Sequence, residues 1–130
     1  MRILKVIPYL DGRIEQFEDR IARLESRAQQ LTKVLDGLPH GSVSKDIMLN
    51  YATQIIYLRE QKDWLENILY DVEAELEDYI CAKVPDEMAQ KVIAFHYILG
   101  ESFADSAKYL GISESRAYYL HAKWIGEIRD

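Results

Sequence analysis

Two long segments of this chain carry apolar side chains at alternating steps of three and four residues. In the first segment, from Pro8 to about Asp36, the repeat comprises Ile14, Phe17, Ile21, Leu24, Ala28, Leu31 and Leu35. In the second, from about Ser44 to Ala82, it comprises Met48, Tyr51, Ile55, Leu58, Lys62, Leu65, Leu69, Val72, Leu76 and Tyr79. A period of 3.5 residues is typical of α-helices that pack together in a left-handed supercoil. The repeat therefore predicts two long, paired helices.

Glycine and proline separate these segments from each other and from the rest of the chain. Residues 36–42, DGLPHGS, are dense in turn formers. Because short connections join antiparallel neighbours, residues 1–83 are predicted to form a long helical hairpin. Pro85 suits the first position of a new helix, which we expect to run to about Leu99. The prediction is an all-α fold in which residues 84–130 form a separate three-helix module.

A hairpin of two helices leaves many apolar side chains uncovered. Either residues 84–130 fold back over them, or a second copy of the chain does. We favour self-association as a dimer, because exposed apolar stripes of this length invite aggregation. The residues expected to carry it are Ile55, Leu58, Trp64, Leu65 and Leu69. Lys62, the one polar member of its stripe, either sets the register or extends its ammonium group to solvent.

Residues 100–125, GESFADSAKYLGISESRAYYLHAKWI, have the pattern of a helix-turn-helix. Gly111 suits the sharp turn, because a residue that ends a helix there commonly has a positive φ. Ser102 and Ser113 stand where the two helices need N-caps, and Asp105 completes a short capping box after Ser102. One departure from the motif is Ser106, where a bulky aliphatic residue is usual. The apolar positions expected to pack are Val92, Phe95, Leu99, Ala107, Leu110, Ala117, Leu120 and Trp124.

The exposed side of the last helix holds the candidate DNA contacts, because a helix-turn-helix places its second helix in the major groove. They are Ser113, Glu114, Ser115, Arg116, Tyr118, Tyr119 and Lys123. Arg116 can bind a guanine edge bidentately, or form a surface salt bridge instead. Tyr118 and Tyr119 can donate to phosphates and contact thymine methyls, or pack in a core or interface. Ser115 and Lys123 are expected at phosphates.

Charge and composition restrict the function further. The chain has a net charge of −6, which argues against a generic nucleic-acid coat. Residues 84–130 hold 5 Lys and Arg against 7 Asp and Glu, so the predicted DNA-binding module is itself slightly acidic. No catalytic motif, metal-ligand cluster or cofactor loop is present in the sequence, which predicts a protein that is not an enzyme and binds no cofactor. No segment suggests membrane insertion, and we expect a cytoplasmic protein in which the lone Cys81 is buried.

The residues Tyr97 to Gly100, Ala107, Leu110 to Ser113, and Leu120 with His121 resemble the DNA-reading fourth region of sigma factors. The whole layout, with the loop Gly37 to Ser42 followed by Val43, Ser44 and Asp46, is similar to the ArpU-like and RinA-like late transcriptional regulators. These come from phages and prophages of low-GC Gram-positive bacteria. The resemblance implies a helical hairpin before a sigma-like module, and activation of late genes. The chain lacks the family's basic residues at Tyr118 and Tyr119.

Three functional hypotheses follow. The first is a dimeric phage or prophage regulator that binds double-stranded DNA at a roughly palindromic site. The second is a module that binds RNA polymerase or another protein without touching DNA, which the acidic balance and paired tyrosines favour. The third is a structural coiled-coil protein with a vestigial helix-turn-helix. The sequence leaves the operator, the direction of regulation and the oligomer size open.

Overall fold

The computed structural model describes residues 3–37 and 42–128, and every regular element in these ranges is helical. The helices are α1 (Ile3–Asp36), α2 (Ser42–Lys83), α3 (Glu87–Tyr97), α4 (Phe103–Leu110) and α5 (Glu114–Trp124), followed by a 3-10 turn at Ile125–Glu127. The all-α prediction is confirmed, with two long helices before three short ones. Most of the predicted loop at 37–42 lies outside the described residues. None of the described helices contains an apolar stretch of the length that spanning a bilayer requires.

Helix α1 begins before Pro8, whereas the sequence predicted that it begins after it. Pro8 lies inside the helix. An interior proline costs about 3 kcal/mol, since it removes one backbone hydrogen bond and crowds the preceding turn. Leu4 and Ile7 are buried, at 7% and 2% exposure. Burying a side chain of that size contributes about 1.5–3 kcal/mol, so tertiary packing offsets the local break.

The chain divides into two compact units. Unit 1 comprises residues 1–10 and 68–130, and unit 2 comprises residues 11–67. The division falls within α1 and α2, whereas the sequence analysis placed a boundary at residue 83. Each long helix thus contributes one part to each unit.

Unit 2 is an antiparallel helical hairpin. Its core consists of the buried residues Ile21, Leu24 and Leu58, with Phe17, Tyr51 and Ile55 partly buried against them. Arg59 pairs with Glu25, and the Lys62 ammonium lies 3.9 Å from Glu18 and 3.6 Å from Glu66. From Glu18 to Glu25 on α1, the partner on α2 moves back from Lys62 to Arg59, as it does in an antiparallel pair of helices. Lys62 therefore keeps its charged end at the edge of the seam, beside two carboxylates.

Unit 1 has a separate apolar core. Its buried members are Leu4, Ile7, Leu76, Ile80, Val84, Ala89, Val92, Ile93, Ala107, Ala117, Leu120, Ile125 and Ile128. They come from α1, α2, the following linker, the three short helices and the end of the described chain. The predicted apolar positions Val92, Ala107, Ala117 and Leu120 are confirmed as core residues.

Two predictions of burial are wrong. Cys81 is exposed, because it lies on the outer side of α2, away from the apolar repeat. Leu99 is 61% exposed, because α3 ends at Tyr97 and its C-cap is Ile98, so the helical periodicity does not extend to Leu99. Helix α3 also begins later than predicted. Its N-cap is Asp86, whose side chain accepts a hydrogen bond from the Ala89 N–H, and Pro85 lies just outside the helix.

Candidate nucleic-acid interface

The turn between α4 and α5 is built on Gly111. Its φ of 70° lies in the left-handed region, where glycine carries no side-chain penalty. The Gly111 N–H reaches the Ala107 and Lys108 carbonyls, and the Ile112 N–H donates to the Ala107 carbonyl at 3.0 Å. These bonds pair carbonyls that the helix end would otherwise leave without partners. The predicted tight turn at Gly111 is therefore confirmed.

Serine side chains begin both helices of the motif. The Ser102 hydroxyl oxygen accepts from the Asp105 N–H at 3.0 Å, and the Ser113 hydroxyl oxygen accepts from the Arg116 N–H at 3.1 Å. Both serines have the extended backbone that an N-cap residue needs. The two predicted caps are confirmed, and they define where α4 and α5 begin.

Replacing Ser113 by Ala is expected to lower the free energy of unfolding by about 0.5–2 kcal/mol, because one amide of the first turn of α5 loses its acceptor. The measurement is urea denaturation followed by circular dichroism. Ser115→Ala is the matched control, since Ser115 is exposed and lies inside the helix. Equal effects of the two substitutions would mean that the cap contributes nothing.

Small residues bring the three short helices together. Ala117 is fully buried on α5, and Ala107 is 3% exposed on α4. Ser106, the departure from the usual motif, is also fully buried. Its hydroxyl donates to the Ser102 carbonyl at 2.8 Å, so the buried polar group has a partner within its own helix. A hydroxyl satisfied in this way replaces the aliphatic side chain usual at this position.

An aromatic cluster connects α3, the start of α4 and α5. The His96 ring stacks on Phe103 at 4.1 Å between centroids, and its Nδ1 lies 2.9 Å from the Glu101 carbonyl oxygen. The Tyr97 hydroxyl lies 2.7 Å from His121 Nε2. Phe103 also contacts His121, at 4.7 Å between centroids. Packing of α3 against α5 brings His96 and His121 into one cluster, which orients α5.

The outer side of α5 presents two cations around one ring. The Arg116 guanidinium carbon lies 5.5 Å from the centroid of Tyr119, and the Lys123 ammonium lies 5.9 Å from it. Tyr119 is 54% exposed. Within the described ranges Arg116 forms no ion pair, so the alternative of a salt bridge with Glu114 is not observed. Arg116 and Lys123 thus point a positive charge outward on either side of an exposed tyrosine.

The remaining predicted contacts on α5 also lie on its surface. Ser113, Glu114 and Ser115 are exposed. Tyr118 is 51% exposed, with its ring 4.6 Å from Phe103, so it is both a packing residue and a surface residue. Sequence reasoning missed Ala122, which is exposed and lies on the same face as Ser115 and Tyr119. A count of i, i+4 and i+7 from Ser115 would have found it.

Helix α4 adds two exposed residues that the sequence analysis did not single out, Lys108 and Tyr109. They occupy the last turn before Gly111. The sequence does indicate Lys108 as a candidate contact, because it is the only cation of the first helix of the motif. In a helix-turn-helix this helix crosses the DNA backbone, where a lysine contacts phosphate.

The five predicted oligomerisation residues differ in exposure. Leu58 is 6% exposed within the core of unit 2, and Ile55 packs against that core. Leu69 packs against the core of unit 1, and Leu65 is half-buried. Trp64 is 61% exposed. The apolar repeat of α2 is therefore largely covered within the chain itself, and Trp64 alone of the five is mostly exposed.

Comparison of the chain with models of protein families, with characterised proteins and with solved structures finds no match.

Proposed function

We propose that the chain is a sequence-specific regulator of transcription that binds duplex DNA through α5. The observation that carries the proposal is the capped α4–Gly111–α5 unit with an exposed cationic side. Its apolar side is buried through Ala117 and Leu120, and its opposite side holds polar, cationic and aromatic groups. Major-groove recognition requires a helix that is held by its buried side and exposes side chains able to read bases and bind phosphates.

The proposed contacts follow from the chemistry of each side chain. Arg116 donates two hydrogen bonds to the N7 and O6 acceptors of guanine. Lys108 and Lys123 bind phosphates, and Ser115 donates to phosphate. Tyr119 lies between the two α5 cations, where its hydroxyl donates a hydrogen bond to the DNA backbone. Ala122 offers a methyl group to a thymine methyl.

The wider role rests on the resemblance to ArpU-like and RinA-like regulators. It implies a phage or prophage protein that activates late genes in the cytoplasm of its host. Self-association would place two recognition helices on one duplex and make the site palindromic. Exposed apolar side chains on unit 2, at Leu49 and Ile56, support such a partner surface.

Selection of bound duplexes from a random pool, repeated at two salt concentrations, tests the proposal. We expect an enriched motif, with affinity that falls as salt rises. A palindrome in that motif would support the dimer, and a single half-site would contradict it. No enrichment at low salt would overturn sequence-specific DNA binding.

Arg116→Ala is expected to relax the preference at one base position, at a cost of about 1–3 kcal/mol for the preferred base. Selection and titration of single-base variants of the motif measure this directly. Arg59→Ala is the matched control, because Arg59 is engaged with Glu25 in unit 2. Uniform weakening on every sequence, with the motif unchanged, would show that Arg116 contacts only the backbone.

A second candidate function is docking to RNA polymerase without DNA contact. The exposed tyrosines of α4 and α5 favour it, because tyrosine is a frequent anchor of protein interfaces. They are Tyr109, Tyr118 and Tyr119. Binding to purified polymerase that survives nuclease treatment and is lost in Tyr119→Ala would support this function. Failure of the wild-type chain to bind purified polymerase would exclude it.

A further inference from the structure

Unit 2 has a row of arginines along one edge of its hairpin. Arg13, Arg20 and Arg27 recur every seven residues on α1, so they lie on one line, about 10.5 Å apart at 1.5 Å per residue. Arg23 lies on the same side, three residues after Arg20. All four side chains are exposed. We call these four residues the arginine face.

The heptad positions of the arginine face hold no carboxylate. On the other edge of the seam, Glu18 lies beside Lys62 and Glu25 pairs with Arg59. In the heptad register, no Asp or Glu of residues 11–67 occupies the positions that hold the arginine face, on either helix. Those positions of α2 hold Ile47, Gln54, Gln61, Asn50, Tyr57 and Trp64. Within the described part of the chain, none of the four arginines forms an ion pair. A chain of net charge −6 thus places no acidic residue at the positions of the arginine face.

This clustering is unfavourable for the isolated helix. Arg20, Arg23 and Arg27 are neighbours at spacings of three, four and seven residues. Like charges at i, i+4 destabilise a helix by about 0.2–0.5 kcal/mol per pair. An anion that binds across the row removes this repulsion, so the arrangement is complementary to a linear array of negative charges.

One end of the row forms a cleft of about 130 Å³ lined by Arg13, Gln16, Phe17 and Arg20. Arg13 Nη1 donates to Gln16 Oε1 at 3.0 Å, and the guanidinium carbon of Arg13 lies 5.5 Å from the Phe17 ring centroid. The hydrogen bond and the ring orient one guanidinium beside the cleft, while Arg20 lines it as well. Two guanidinium groups around such a space match the geometry of a phosphate group.

We propose that the arginine face binds the phosphate backbone of duplex DNA, an inference that rests on the proposed function and deepens it. The row spans about 21 Å from Arg13 to Arg27 at 1.5 Å per residue. Duplex DNA presents one negative charge for about every 1.7 Å of its axis. A second copy of the chain fits poorly, since two-fold pairing through this surface sets arginine against arginine. The face also supplies the cations that residues 84–130 lack, with 5 basic against 7 acidic residues.

The test compares two triple variants of the full-length chain that remove equal charge. R20Q/R23Q/R27Q neutralises three of the four residues of the arginine face and retains helix-forming residues. K5Q/K83Q/K91Q is the matched control, because it removes three exposed cations of unit 1 that lie outside α4 and α5. Affinity for the selected duplex and for a random duplex is measured against potassium chloride concentration. Circular dichroism checks that both variants remain folded.

We expect the arginine variant to lose about 0.9 from the salt slope for each phosphate contact removed, hence about 2–3 in all. Affinity should fall by about tenfold or more on both duplexes, with the preferred motif unchanged. An unchanged slope in a folded arginine variant, or an equal change in the lysine control, would overturn the proposal while leaving binding by α5 intact. If the arginine variant lost affinity only for a single-stranded oligonucleotide or only for polyglutamate, the arginine face would bind that polyanion and not duplex DNA, and the proposal would be overturned. Absence of duplex binding by the wild-type chain would overturn both proposals together.

Discussion

Replacing Leu120 by Ala is expected to lower the free energy of unfolding by about 2–5 kcal/mol. Leu120 is 1% exposed in the core of unit 1, on the side of α5 that packs inward. The substitution removes apolar contacts and leaves a cavity that the surrounding residues fill only in part. Native domains are stable by only about 5–15 kcal/mol, so this loss is a large fraction of the total.

Leu99→Ala is the matched control, because the same atoms are removed from a side chain that is 61% exposed. We expect its effect to stay within about 0.5 kcal/mol. Urea denaturation of both variants measures the difference in unfolding free energy, on the condition that their m-values agree. Similar losses for the two leucines would contradict the assignment of Leu120 to the core.

The second large effect is expected at Gly111, where substitution by Ala should cost about 1–2 kcal/mol of unfolding free energy. A Cβ built on Gly111 meets no atom within 4 Å. The cost therefore comes from the backbone alone, since φ is 70° and a residue with a side chain rarely adopts that conformation. The same substitution loosens the turn that places α5 against α4.

Gly12→Ala provides a control of opposite sign. Gly12 lies inside α1, has no positive φ, and a Cβ there also meets nothing within 4 Å. Alanine in that position should raise the free energy of unfolding by about 0.5–1 kcal/mol, because it reduces the freedom of the unfolded chain. Thermal unfolding of both variants measures the two signs. Stabilisation by Gly111→Ala would show that the turn does not need a left-handed residue.

Local chemistry made several features of the fold predictable. The caps at Ser102 and Ser113 and the turn at Gly111 depend on single side chains and on neighbouring amides, so the sequence alone indicates them. The apolar repeats predicted two long helices, because their period depends only on helix geometry. The candidate contacts on α5 followed from the same periodicity, and the structure places all seven on the surface.

Other features depend on contacts between residues that are distant in sequence. Helix α1 runs through Pro8 because Leu4 and Ile7 are buried with residues from the C-terminal half of the chain. The cluster of His96 and His121 arises only when α3 and α5 pack together. The pattern of side chains along the sequence does not identify such distant partners.

From the residues alone we could predict the long helices, the short helices, the two serine caps and the turn, because each depends on interactions within a few residues. Tertiary contacts decide which apolar side chains the chain covers for itself and which it leaves outside, as for Leu58 and Trp64. They also pair Glu18 and Glu25 of α1 with Lys62 and Arg59 of α2 across the seam. Burial and ion pairing join residues that are distant in sequence, and only folding brings those residues into contact.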